Sequence, residues 1–331
     1  MKYFIITIDT EGDNLWDYRL EETITTKNAY FIPRFQALCE KYNFKPVYLV
    51  NYEMAQDEYF IDFAKNILQS RNCEIGIHLH AWNNPPYYEL RQGSNAYGLP
   101  YLIEYPKNVM EDKFNFLYEL LKTKFNTDIV SHRSGRWAMN QDYFDILIDH
   151  NIKIDCSITP HVSWKNAKGL SPNSKGSDYI KSSEVPFIVK HNSKEQTLME
   201  IPVTIRKFRH FAVDIPRLMH PKYFISTIMN IINGKPIWLR PKGNNLSEML
   251  SLINFLQKSE SSYLMFMLHS SELMPGGSPT FKTAESVETL YDHLNRIFNL
   301  VSKNFQGITL NDYYQNNIIN NENIRCINFQ L

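Results

Sequence analysis

Four short stretches of this sequence hold side chains able to bind metals or move protons, each just beyond an apolar run. The segment TIDTEGD, 7–13, packs the carboxylates Asp9, Glu11 and Asp13 together. Crowded carboxylates repel one another, so a cation or a raised pKa is needed to keep them close; a solvated loop is the plainer alternative. EIGIHLHAW, 74–82, offers His78 and His80 at i and i+2. On a regular strand these would face opposite sides, but a strand ending near Ile77 lets both turn to one ligand. Imidazoles with a carboxylate suit zinc, nickel, cobalt or iron.

The third stretch, SHRSGRWAMN, 131–140, flanks Gly135 with Arg133 and Arg136 and follows them with Trp137. An arginine beside a catalytic carboxylate holds it ionised and orients it; a surface ion pair with a packed Trp would give the same pattern. The fourth, MFMLHSSELMPGGSP, 265–279, delivers His269 from an apolar run into a Gly- and Pro-containing loop. A histidine at a strand end serves as general acid or base near neutral pH, or as a core residue bonded to backbone. Glu272 is open to three roles: ligand, orienting group or cap.

The elements that must position these residues alternate. Apolar runs at 3–8, 46–50 and 74–79 read as buried strands, separated by amphipathic helices at 26–42 and 57–69. Helices at 107–125 and 141–150 alternate with strands at 129–132 and 152–158, and Asp155 sits in the latter. Strand, helix, strand in repetition predicts a parallel α/β fold, in which function gathers at the carboxyl ends of the strands. From 161 to 250 the pattern loosens into Pro, Gly, Ser and Asn clusters with strand-like pieces at 185–189 and 198–203. The expectation is an insertion decorating one barrel that spans 1–315, with 316–331 as a tail. A helix at 246–257, a strand at 263–268, a helix at 284–298 and a short strand at 307–310 complete the reading.

Composition sets the remaining bounds. A chain of 331 residues with 43% hydrophobic side chains can bury a large core. Its 35 basic and 35 acidic residues cancel, which argues against a nucleic-acid partner. The cysteines, Cys39, Cys73, Cys156 and Cys326, show no CxxC pair, so neither a disulfide framework nor a structural zinc site is expected. No run reaches the ~20 apolar residues of a membrane span. MKYFIITIDTEGD lacks the long apolar stretch and small-residue cleavage site of a secretory signal; the expected location is cytoplasmic.

Taken in order, TIDTEGD, EIGIHLHAW, SHRSGRW, DCSITP and LHSSELMPGGSP resemble the five motifs of the NodB-like polysaccharide deacetylases, carbohydrate esterase family four. The likeness is strongest to the WalW-like subgroup of lipopolysaccharide and capsule biosynthesis proteins, and its final motif is the most specific. The resemblance implies a distorted (β/α) barrel with fewer strands than a full eight. It also implies hydrolysis of N-acetyl groups from an acetylated amino sugar or glycan precursor, and a divalent metal: zinc first, with nickel, cobalt or iron as alternatives. Carried across by motif, Asp9 is the general base, His78 the first metal histidine, Arg133 the brace of the base and His269 the acid that protonates the leaving amine.

Two positions depart from the family pattern. Thr10 stands where a second aspartate is usual, and Trp82 where the second metal histidine is usual. Glu11 and His80 are the substitutes, so the expected metal set is Glu11, His78 and His80. Trp82, Arg136, Trp137, Asp155 and Glu272 are the expected substrate contacts, with Trp137 walling an acetyl pocket or stacking on a sugar. The departures leave an alternative, a catalytically degenerate barrel that binds or assembles glycans, with Tyr87, Tyr88, Tyr97 and Tyr101 as cleft candidates. Deformylation or amide transfer is a third reading, for which no Cys or Ser stands in a recognisable nucleophile setting.

Overall fold

Tyr3–Thr10 forms β1 because its β-branched and aromatic side chains fill both faces of a strand, and every residue after Tyr3 is buried. This computed structural model describes residues 1–16, 23–88, 98–208, 228, 234–320 and 326–327. Strands β2 (Pro46–Val50), β3 (Glu74–Leu79), β4 (Ser131–Ser134) and β5 (Ile154–Asp155) follow. Between them run helices α1 (Ile32–Lys41), α2 (Glu58–Gln69), α3 (Lys107–Phe125) and α4 (Gln141–Asp149). Side-chain caps start two of these: Asp57 accepts from the Phe60 amide at 2.8 Å and Asn140 from the Tyr143 amide at 2.9 Å.

Strands β6 (Phe187–Lys190), β7 (Thr197–Glu200), β8 (Ile205–Phe208) and β9 (Lys235–Trp238) come next. Helix α5 (Leu246–Lys258), strand β10 (Tyr263–His269) and helix α6 (Ala284–Val301) follow. Strand β11 (Gln306–Gly307), helix α7 (Leu310–Asn320) and strand β12 (Cys326–Ile327) end the described chain. One sheet runs β10-β1-β2-β3-β4-β5-β7-β6-β12, with β11 also paired to β1. It is parallel from β10 to β7 and turns antiparallel at β6.

The sheet is curled into a half-barrel, and one side chain reports the curl. Arg133 on β4 reaches past β2 and β3 to Thr7 and Asp9 on β1. Opposite, the segment after β7 leans on β10: the Tyr263 hydroxyl donates to the Pro202 carbonyl at 2.6 Å, and the Met265 amide to Thr204 Oγ1 at 2.8 Å. Apolar side chains such as Ile5, Val47, Ile75, Phe114 and Leu294 pack between sheet and helices.

Register supplies the site. In the parallel pairs Asp9 lies beside His269, and His78 beside Arg133. Three expectations shift. The helix expected from 26 begins as a 3-10 turn, Lys27–Phe31, with Pro33 in the first turn of α1. The strand expected at 307–310 is β11, and Leu310 already starts α7, which runs into the expected tail. Of the segment 161–250, β6 and β7 join the main sheet rather than decorate it.

Candidate active site

The carboxyl ends of β1, β3, β4 and β10 bring Asp9, Glu11, His78, His80, Arg133 and His269 into one neighbourhood. His80 Nε2 lies 2.7 Å from Glu11 Oε2 and 3.0 Å from His78 Nε2, and His78 Nε2 is 3.4 Å from the same carboxylate oxygen. Ligand atoms of all three residues fall within 4.8 Å of one another, and all three residues are buried. The strand runs to Leu79 rather than ending at Ile77, so His80 turns back toward His78 just past the strand end.

The tautomer of His78 is settled by its neighbour. Its Nδ1 faces the Arg133 carbonyl at 2.9 Å, so Nδ1 carries a proton and Nε2 offers a lone pair. His80 Nδ1 is buried with no hydrogen-bond partner among the described residues. Burial pulls the Glu11 carboxyl upward, but the His78 and His80 imidazoles beside it outweigh burial and hold Glu11 well below the usual range. Burial, with the charges of His78 and Arg136 adding to it, holds His80 below its ordinary value despite Glu11. For His78, burial is outweighed by Asp9 and Glu11, which raise it. Two neutral-capable imidazoles and an ionised carboxylate converging on one point fit a divalent first-row cation.

Glu11 is held from its backbone. Asn28 Nδ2 donates to the Glu11 carbonyl at 2.7 Å, and the Glu11 amide donates to Ser270 Oγ at 3.1 Å. Ser270 therefore braces the β1 loop instead of acting as a nucleophile. Glu53 ties two loops, accepting from the Gly12 amide at 2.8 Å and from Asn83 Nδ2 at 2.6 Å.

Arg133 is fully buried and spends its donors on named partners. Nη1 donates to Asp9 Oδ1 at 2.5 Å, Nη2 to Thr7 Oγ1 at 2.8 Å, and Nε to the Cys156 carbonyl at 3.1 Å. Burial alone would raise the Asp9 carboxyl; Arg133, then His78 and His269, reverse that and keep it ionised. Asp9 Oδ2 is left facing His269 Nε2 at 3.7 Å. His269 is 14% exposed where Asp9 is 2% exposed, so the imidazole stands at the open side.

Two residues around His269 escaped sequence reasoning. Arg240 Nη2 lies 3.0 Å from His269 Nδ1 and 3.4 Å from Glu272 Oε1. A guanidinium only donates, so Nδ1 accepts and a neutral His269 carries its proton on Nε2, toward Asp9. Trp16 sets its ring 4.7 Å from the His269 ring and donates to the Gly277 carbonyl at 2.8 Å. Arg240 lies in the weakly patterned 161–250 segment, and Trp16 follows an acidic loop; neither carries a spacing signal.

The expected substrate contacts divide. Trp82 lies edge-on to His80 with ring centroids 4.4 Å apart. Trp137 packs under Arg133, whose guanidinium carbon is 5.1 Å from the ring centre. Glu272 accepts from the His269 amide at 2.8 Å and pairs with Arg240, so it orients and caps. Asp155 needs correction: it is fully buried, and its carboxylate meets His132 Nδ1 and the Ser157 hydroxyl, each at 2.7 Å. An acid inside a strand looks the same in sequence whichever face of the sheet it takes. Of the tyrosines, Tyr101 is buried, Tyr87 is exposed, and Tyr97 lies outside the described residues.

No family model matches the chain, and no curated protein matches it. Solved structures do. A candidate polysaccharide deacetylase from Mycobacterium smegmatis superposes with a TM-score of 0.53 at 11% identity, over 100% of this chain and 95% of that one. A candidate glycoside hydrolase/deacetylase from Parabacteroides distasonis gives 0.58 at 10% identity, over 95% and 70%. The fold is the NodB-type barrel. A 4-alpha-glucanotransferase from Thermococcus litoralis also superposes, with a TM-score of 0.55 at 12% identity over 100% of this chain and 42% of that one. At such identities the likeness extends to fold alone, and the chemistry must be argued from the site.

Proposed function

We propose that the protein is a metal-dependent N-deacetylase of the NodB-like superfamily, removing an acetyl group from an amino sugar during the building of a cell-surface glycan such as lipopolysaccharide or capsule. The observation that carries the reading is the convergence of Glu11, His78 and His80 beside the Asp9–Arg133 pair. Glu11, His78 and His80 would hold the cation, zinc by preference. A bound divalent cation supplies Lewis acidity, lowering the pKa of water and polarising a carbonyl oxygen.

The remaining steps belong to the protein's own side chains. Asp9 has one oxygen committed to Arg133, so Oδ2 is the lone pair available to take a proton from the attacking water. Arg133 keeps that carboxylate ionised in a buried setting. To act as the acid His269 must carry protons on both ring nitrogens, with Nδ1–H toward Glu272 Oε2 at 3.4 Å; it then gives its Nε2 proton to the departing amine nitrogen and returns to the neutral ring. Trp82 and Trp137 bound the space beside the metal ligands with apolar surface. No helix among the described residues is long and apolar enough to cross a membrane.

Asp9→Asn keeps the Arg133 hydrogen bond and removes the base. With zinc-loaded protein and an N-acetylated glucosamine oligomer, acetate release is expected to fall about 10²–10⁴-fold while metal content is unchanged. Loaded wild-type protein that binds such oligomers yet releases no acetate would support the degenerate, glycan-binding reading in its place.

A further inference from the structure

Three arginines meet the neighbourhood of the site, and two are neutralised. Arg133 pairs with Asp9, and Arg240 with Glu272. Arg136 pairs with no carboxylate among the described residues, and its Nε is buried without a hydrogen-bond partner there. Its guanidinium carbon lies 5.1 Å from the centre of the Tyr101 ring. Tyr101 is itself held by its hydroxyl, which donates to the Ala167 carbonyl at 2.9 Å. A half-buried cation supported on a fixed aromatic face, with no acid of its own, is prepared for an outside anion.

The backbone aims it. Arg136 and Trp137 are consecutive non-glycine residues in the left-handed region, at φ +56° and +61°. Strain of that kind persists only where the surroundings impose it, and it collects at ligand-binding positions. The preceding Gly135 is pressed against the metal set: a Cβ there would lie 2.4 Å from the Leu79 carbonyl oxygen and 3.1 Å from His80 Nδ1. Arg136 therefore leaves the chain one residue beyond the wall of the His80 site, and its charge acts on that imidazole.

Beside Arg136, Trp137 belongs to a compact cluster of three indoles. Trp164 lies parallel to Trp137, with centroids 6.4 Å apart at 7°, and Trp238 sets its edge to both at 6.0 and 6.3 Å. Lys242 stands over Trp238, its Nζ 5.3 Å from the ring centre, exposed and without an ion pair among the described residues. Trp137 and Trp238 are buried and Trp164 is partly exposed, so Trp164 is the member of the cluster able to meet the apolar face of a pyranose.

We propose that Arg136 forms an anion subsite that makes the cleft selective for an acidic N-acetylated glycan, one bearing a carboxylate or a phosphate near the reacting sugar. This rests on the reading of the cleft as a glycan deacetylase site and specifies its substrate class.

The test is calorimetric binding of three probes to the full chain at low ionic strength: a hyaluronan tetrasaccharide, UDP-N-acetylglucosamine and neutral chitotetraose. The expected result is at least tenfold tighter binding of one anionic probe than of chitotetraose, with tightness lost as salt rises. Which anionic probe binds separates carboxylate from phosphate. Arg136→Gly, in which glycine accepts the positive φ, is expected to erase the preference, and Arg136→Lys to keep part of it. Equal binding of all three probes, binding of none, or a preference that survives Arg136→Gly would overturn the proposal. Acetate release, measured separately, keeps the two readings apart. Acetate release together with an anion preference that survives Arg136→Gly sinks the subsite and spares the deacetylase. An Arg136-dependent anion preference without acetate release does the reverse.

Discussion

The consecutive residues His132 and Arg133 point to opposite faces of β4, and each leads to a buried cluster of imidazole and carboxylate. Behind the strand, His132 Nδ1 meets Asp155 and Nε2 meets the Tyr143 hydroxyl, each at 2.7 Å. The Ser157 hydroxyl and amide both donate to Asp155. Glu200 accepts from the Ile158 amide at 3.0 Å, and burial, then Asp155, raise its carboxyl well above the usual range. It keeps its proton, and its Oε2 is buried without a hydrogen-bond partner among the described residues. Both ring nitrogens of His132 are matched in that network. In front of the strand, lone pairs of Glu11, His78 and His80 crowd together, and His80 Nδ1 has no partner among the described residues. Buried acids and histidines alone do not define a site. What separates the two clusters is convergence: among the described residues only Glu11, His78 and His80 bring ligand atoms of three side chains within 4.8 Å of one another.

The sharpest break in that contrast comes from Arg133, which stands between the clusters. Arg133→Met leaves Asp9 buried without its cation, and a loss of about 3–5 kcal/mol is expected in urea unfolding. A loss near zero would mean that Asp9 is solvated and unbraced.

A smaller effect should appear on the front cluster alone. Gly135→Ala places a Cβ against the Leu79 carbonyl oxygen and the His80 ring. Zinc affinity, read by competition with a chromogenic chelator, is expected to fall about 10–100-fold through displacement of His80. Unchanged affinity would remove His80 from the ligand set.

The smallest effect is expected behind the strand, and it depends on pH. The folded-state pKa of Glu200 is raised, so its contribution to stability is full below the unfolded value near 4.5 and is lost as pH climbs through the raised folded value. Glu200→Gln carries no titrating proton. Its stability should therefore fall less than that of wild type above about pH 5, by about 1.4 kcal/mol for each unit of upward shift. Parallel urea midpoints across that range would show that the buried proton is elsewhere.

Much of the front cluster was legible because parallel α/β architecture puts function at strand ends, and Asp9, His78 and His269 each lie at the end of an apolar run. The pairing of Asp9 with His269 and of His78 with Arg133 was not legible, because it depends on register across the sheet. Asp155 misled for a related reason: nothing local tells which face of a two-residue strand it occupies. Arg240 and Trp16 reach His269 from segments without periodicity, and only tertiary packing brings them there. The joining of β6 and β7 to the main sheet was hidden in the same way, by short strands among turn-forming residues.

The most direct test of the account is the metal content of three purified proteins after zinc loading and dialysis: wild type, the His78→Ala/His80→Ala double variant, and Glu200→Gln from the cluster behind the strand. About one equivalent is expected in wild type and in Glu200→Gln, and none in the double variant. Wild-type protein that keeps no metal, or a double variant that keeps as much as wild type, would contradict it.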